Sequence, residues 1–350
     1  MPPRRPLPPP GAAPRLPPDP WAAYRLRWKR RRLLARAVVR RRQLSAVRDR
    51  TDAIRPGDIL CFLTVRNEAA RLPHFLDHHR ALGVNQFLAV DNGSTDDTGP
   101  LLAARQDVSL WRTDASYRLS RFGLDWLTWL MMRHGHGHWC LTLDADELLI
   151  YPHWQTRPLD ALTGWLDDSG TRMMGALMLD LYPEGPLGAA AASHGDPTHA
   201  LTHFDAGNYT IQRQEPMGNL WIQGGPRARA FFADDPRRAP TLQKVPLIRW
   251  DRRYVYVNST HAALPRRLNA IYGDGEALTG ILLHTKFQDQ VIEKSAEELN
   301  RGEHFRHSAL YRDYYRKILD GPVLWSERST RLTSWRQLEA LGLMSRGGWV

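Results

Sequence analysis

Three short apolar runs between residues 59 and 147 each end in a cluster of polar side chains. Ile59–Val65 runs into Arg66-Asn67-Glu68, Gln86–Val90 into Asp91-Asn92-Gly93-Ser94, and Trp139–Leu143 into Asp144-Ala145-Asp146-Glu147. Apolar runs of this length bounded by polar residues have the pattern of buried strands. Helical patterns separate them. Pro73 opens one and Gly83 closes it, with Phe75, Leu76, His79 and Leu82 on one face. Ser94 or Thr95 can cap a second, Val108–Trp111 is a further strand, and Arg121–Met132 is a helix rich in Trp and Leu. Such alternation predicts an α/β fold with a parallel sheet and helices on both faces. Ligands of these sheets sit at the carboxyl ends of the strands, where all three polar clusters fall.

The rest of the chain is less regular. Gly175–Leu181, Arg229–Phe232, Tyr254–Val257 and Gly280–His284 have strand character, while residues 183–225 are glycine-rich and predict long loops. From Gln288 to about Leu319 the pattern is helical and charged, with a short helix near Trp335–Leu341. The expected organisation is a disordered Pro-rich arm over 1–20, a basic amphipathic helix over 21–50, an α/β domain over 55–287 and a helical extension over 288–350. With 42% hydrophobic and 24% charged residues in 350, the material for a core is ample. Only Cys61 and Cys140 are present, which excludes a disulfide scaffold and a cysteine-based zinc site.

The net charge of +11 invites a nucleic-acid reading until it is located. Residues 21–50 hold twelve Lys/Arg against Asp49, and residues 1–20 add a net +2, so the remaining 300 residues carry −2. The charge belongs to the N-terminal segment. Leu26, Leu33, Leu34, Ala37, Val38 and Leu44 recur among its arginines at helical spacing. Two readings stand level: a solvated helix packed on the body, and adhesion to an anionic membrane surface. Nucleic acid ranks third, because only Trp21, Tyr24 and Trp28 could stack on bases. No run is apolar and long enough to span a bilayer, and no secretory signal is visible. The expected location is therefore cytoplasmic, at most peripheral at the inner membrane face.

Asp144 and Asp146 follow a strand and are two residues apart, so in an extended segment both carboxylates point the same way. They can converge on Mg²⁺ or Mn²⁺, hard cations that take oxygen ligands and share their shell with phosphates. A plain acidic strand end is the structural alternative. His134, His136 and His138 alternate with glycine and have the character of an exposed loop rather than a metal site.

The motifs Phe62-Leu63-Thr64-Val65-Arg66-Asn67-Glu68, Val90-Asp91-Asn92-Gly93-Ser94-Thr95-Asp96 and Leu143-Asp144-Ala145-Asp146-Glu147 together resemble those of family-2-like glycosyltransferases of the GT-A fold. The resemblance is to the bacterial branch with Arg-Asn-Glu, Asp-Asn-x-Ser-x-Asp and Asp-x-Asp-Glu, and it is dense over about 55–150. It implies a Rossmann-like mixed sheet with helices on both faces. It also implies a nucleotide-sugar donor, UDP-linked in the closest pattern, and a glycan, lipid-linked or protein acceptor. By the resemblance Arg66, Asn67, Glu68 and Asp91 hold the nucleoside, Asp144 touches ribose or metal, Asp146 ligates the metal and His284 adds a further metal contact. An inverting mechanism is implied by the family alone. The acidic motif that supplies the base in such enzymes is absent, and His261, Asp251 and Glu276 remain open for that role. A nucleotidyltransferase on the same fold is the alternative; it calls for a Gly-rich basic loop after the first strand, and Thr64–Leu72 has no glycine. A non-catalytic membrane-associated adaptor is the third reading.

Overall fold

The computed structural model describes residues 19–188, 195–272, 277–288, 290–301 and 308–349. Among the described residues nine strands form one sheet. In chain order they are β1 (Ser45–Arg48), β2 (Ile59–Val65), β3 (Gln86–Asp91), β4 (Val108–Arg112), β5 (Trp139–Thr142), β6 (Glu147–Ile150), β7 (Met173–Asp180), β8 (Gln243–Arg249) and β9 (Thr279–His284). Their spatial order is β1-β4-β3-β2-β5-β8-β7-β9-β6. β4, β3, β2 and β5 run parallel, as the alternation predicts. Beyond β5 the sheet is mixed: β8 is antiparallel to both β5 and β7, β9 is parallel to β7, and β6 is antiparallel to β9.

Alternate residues of β2 point into separate cores. Ile59, Cys61, Leu63 and Val65 meet Phe75 and Leu76 of helix α2 (Leu72–Leu82), with helices α3 (Thr98–Ala104) and α5 (Leu159–Asp168) on the same face. Leu60 and Phe62 meet Trp126, Leu130 and Met131 of α4 (Leu124–His134) on the other. The expected α/β architecture with a mixed sheet and helices on both faces is thus the one present. α2 ends where expected, at Gly83, whose φ of 108° is the left-handed cap that glycine adopts without a steric cost.

Several local expectations need correction. The basic helix does not run to residue 50: α1 spans Pro20–Arg40, and Ser45–Arg48 then pairs antiparallel with β4 as the edge strand. Pairing with a sheet edge overrides the arginine-rich helical pattern there. Arg229–Phe232 is not a strand, because Pro226 at the first turn starts helix α6 (Gly225–Phe231). The glycine-rich region contains an antiparallel hairpin, Thr210–Gln214 with Asn219–Gln223. The C-terminal part is helical as expected, in α7 (Val291–Arg301), α8 (Ser308–Leu319) and α9 (Trp335–Ala340), yet Ser329–Arg331 pairs with His203–Asp205 and joins it to the body. Residues 1–18 of the Pro-rich arm and Glu276 lie outside the described residues. Among those described, no helix is long and apolar enough to cross a membrane.

Candidate active site

Register brings the polar strand ends together. Val65 lies opposite Asp91, and His284 lies between Asp180 and Glu147. A cavity of about 480 Å³ opens at these ends. Arg66, Glu68, Asp144, Asp146, His261 and His284 all line it. Asn67 and Asp91 do not.

The first loop is closed on itself. The amides of Asn67, Glu68 and Ala69 donate to Ser94 Oγ, Thr98 Oγ1 and Asp96 Oδ2, at 3.0, 2.8 and 3.1 Å. Asn67 sits at φ 51° and its Oδ1 accepts from the Thr95 amide at 2.8 Å. Arg66 donates to the carbonyls of Asn92 and Gly93 at 2.9 and 2.7 Å and pairs with Glu297 of α7 at 3.1 Å. Glu68 pairs with Lys294 of α7 at 2.5 Å and accepts from Arg71 at 3.3 Å. Asp91 is buried and its Oδ1 accepts from both the amide and the hydroxyl of Ser94. It braces the turn instead of facing the cavity.

The acidic pair is served by distant residues. Lys244 on β8 is buried and places its Nζ 2.7 Å from Asp144 Oδ2, while also pairing with the buried Glu147. Burial raises Glu147, the Lys244 ammonium opposes that, and Asp144 and Asp146 add to the rise. Asp144 itself is half exposed and turned to the cavity. Asp146 Oδ2 is 3.2 Å from His284 Nε2, and His284 Nδ1 is 2.6 Å from Asp180 Oδ1. Arg227 of α6 closes the chain on Asp180 Oδ2 at 2.7 Å. Burial would push Asp146 up, but His284, Arg71 and Lys286 outweigh it and hold the carboxyl well below its usual range. Burial would likewise push His284 down, and the carboxylates of Asp146 and Asp180 instead raise it. The ring thus bridges two carboxylates, whose charges favour its protonated form.

Among the described residues no group of three or more His, Cys, Asp or Glu could by itself hold a metal. A two-residue site is compatible with the geometry. Asp146 Oδ2 and His284 Nε2 face one cavity, and Asp180 orients the imidazole from behind as carboxylates do behind metal-bound histidines. Such a cation would displace the proton on Nε2 and complete its shell with water and substrate oxygens. Asp144 is the weaker ligand, since Lys244 already occupies its Oδ2.

His261 Nδ1 lies 2.6 Å from the Gln243 carbonyl. A carbonyl only accepts, so Nδ1 carries the hydrogen and Nε2 is left as a lone-pair acceptor. Burial, reinforced by Lys244, lowers this histidine to about 4, so it is neutral near pH 7. Asp251 is elsewhere: it is clamped by Arg253 through two contacts of 2.8 Å and does not line the cavity. Lys244 and Arg227 stand in segments that resemble the family, but neither they nor Asp180 were assigned to the site from the sequence. Lys244-Val245-Pro246 contains a proline and has no alternation, and the 104 positions from Asp180 to His284 hide their contact. His136 and His138 bond loop backbone, as expected of a connecting loop.

Fold and site together define an α/β protein with a basic, acid-floored cavity at its strand ends. No family model matches the chain, and no curated protein does. Among solved structures it has a weak likeness to an assigned glucose-1-phosphate thymidylyltransferase from Bacillus anthracis in complex with a sucrose. Identity is 7%, over 74% of this chain and 82% of that one, and the TM-score is 0.29. At that score no functional argument rests on the likeness.

Proposed function

We propose that the protein is a cation-assisted glycosyltransferase that uses a nucleoside diphosphate-sugar, UDP-linked by the sequence resemblance. The observation that carries this reading is the strand-end cavity in which Asp146 and His284 lie among Arg71, Lys286, Lys294 and Arg227. An acidic floor under basic walls suits a diphosphate bound through a divalent cation. Bound Mn²⁺ or Mg²⁺ would neutralise the charge on the departing diphosphate. Arg71 and Lys286 hold phosphate oxygens, and Lys244 fixes Asp144 toward ribose. His261 Nε2 takes the proton of the acceptor hydroxyl; the bound diphosphate raises its basicity by offsetting Lys244. Tyr117, Phe122 and Trp221 supply apolar wall for the sugars.

Nucleotidyl transfer on the same fold is disfavoured by the first loop. Its amides at residues 67–69 are spent on Ser94, Thr98 and Asp96 and cannot cradle a triphosphate. Thermal stabilisation separates the readings. UDP with Mn²⁺ is expected to raise Tm, Asp146→Ala to abolish that rise while melting cooperatively, and UTP with Mg²⁺ to do no better than UDP. A panel of nucleotide-sugars should then release UDP. Release of pyrophosphate from UTP and a sugar phosphate would replace this reading with nucleotidyl transfer.

A further inference from the structure

Helix α1 has two faces in opposite use. Ala22, Leu26, Leu33 and Ala37 are buried, with Leu26 and Leu33 packed on Val255 and Leu264. The apolar stripe legible in the sequence is thus spent on the body of the protein. Across the helix axis, Trp21, Tyr24 and Trp28 are 70, 51 and 53% exposed. At about 3.6 residues per turn they form one stripe, which Val39 continues. Their rings touch edge to face, with centroids 5.9 and 6.2 Å apart. The Arg31 guanidinium lies 5.6 Å from the centre of the Trp28 ring. Arg25, Arg27, Lys29 and Arg32 are exposed around them, and α1 contains no acidic residue.

Two tryptophans and a tyrosine in one exposed stripe mark an interaction surface. Their chemistry narrows the partner. Trp and Tyr settle at the headgroup level of a bilayer, where the ring is apolar and its polar atom stays wet. Arginines beside them are drawn to anionic lipid and can extend their heads to lipid phosphates. We infer that this exposed face of α1 docks on an anionic lipid surface, with Trp21, Tyr24 and Trp28 among the headgroups and Arg25, Arg31 and Arg32 on the phosphates. Single-stranded nucleic acid is bound by aromatics within a basic groove. These rings stand on a convex helix, and a headgroup layer accepts such a ridge without shape matching. The inference is independent of the reaction in the cavity.

The test uses the full chain, the variant Trp21→Ala/Tyr24→Ala/Trp28→Ala, and the variant Arg25→Glu/Arg31→Glu/Arg32→Glu. All six side chains are exposed, so unchanged Tm confirms that both variants fold. Proteins are co-sedimented with phosphatidylcholine vesicles with and without phosphatidylglycerol. Wild type should pellet only with the anionic vesicles. The aromatic variant should bind roughly tenfold more weakly, and the charge variant about a hundredfold more weakly. Raising salt to 1 M, where the Debye length is ~3 Å, should release the wild type. Equal binding by variants and wild type, equal binding to neutral vesicles, or no vesicle binding overturns the inference. So does tighter binding of a single-stranded oligonucleotide that the aromatic variant loses, which would assign the face to nucleic acid.

Discussion

Asp91 ends one buried parallel strand and Asp146 follows another, and their carboxylates have opposite surroundings. Asp91 finds its donor three residues on, at Ser94, and is sealed into its own turn. Asp146 is met by His284, which Asp180 holds from 104 residues away, while Asp144 is met by Lys244, 100 residues away. A carboxylate satisfied locally needs nothing else and closes. One satisfied by distant strands stays at a cavity wall, and its charge depends on the second half of the sheet being in place.

The largest expected effect breaks that dependence. Lys244→Met leaves Glu147 buried without its cation and should cost about 3–5 kcal/mol in urea unfolding. Adding Glu147→Gln should recover part of the loss. Asp180→Asn acts through His284 without touching the nucleotide, and should weaken Mn²⁺-dependent UDP binding by about 10–100-fold in calorimetry. Cation-free UDP binding should change much less. Asp91→Ala should lower stability by about 1–2 kcal/mol through the stranded donors of Ser94. A lost nucleotide affinity at unchanged stability would instead return Asp91 to the nucleoside role that the sequence resemblance implies.

The smallest effect tests the seam between the halves. His79 of α2 bonds the Phe75 carbonyl through Nδ1 at 2.8 Å, and its Nε2 accepts from the Leu149 amide of β6 at 3.3 Å. Burial holds its pKa well below the ordinary value. A neutral folded histidine binds fewer protons than the unfolded one, so its stabilisation is full above about pH 6.5 and is lost as pH falls below that. The urea midpoint should therefore decline from about pH 7 to 5, and His79→Gln should flatten the slope.

The first half of the fold was legible because its strands are buried on both faces and its helices carry their own punctuation. Ile59–Val65 matches β2 end to end, and Gly83 caps α2 as read. β8 was missed because Pro246 sits within it, at the point where its register with β7 shifts. The site followed the same division. Asp144, Asp146 and His284 were visible as polar strand ends, whereas Asp180, Lys244 and Arg227 were not. Their meaning comes from sheet order, β5-β8-β7-β9, which no local pattern encodes.

The buried Asp125 on α4 has a consequence for the N-terminal helix. Arg36 of α1 places its Nε 2.6 Å from Asp125 Oδ2 and also donates to the Leu119 carbonyl, while Arg121 holds the other carboxylate oxygen at 3.2 Å. With Leu26 and Leu33 buried as well, α1 cannot swivel like a leash. Its aromatic ridge is cast in the same rigid piece as the sheet, so a surface that captured Trp21 and Trp28 would also fix the compass bearing of the strand-end cavity. Removing residues 1–50 would strip β1 from the sheet and leave Asp125 without Arg36, so that truncation dismantles a wall of the protein as well as the proposed docking ridge.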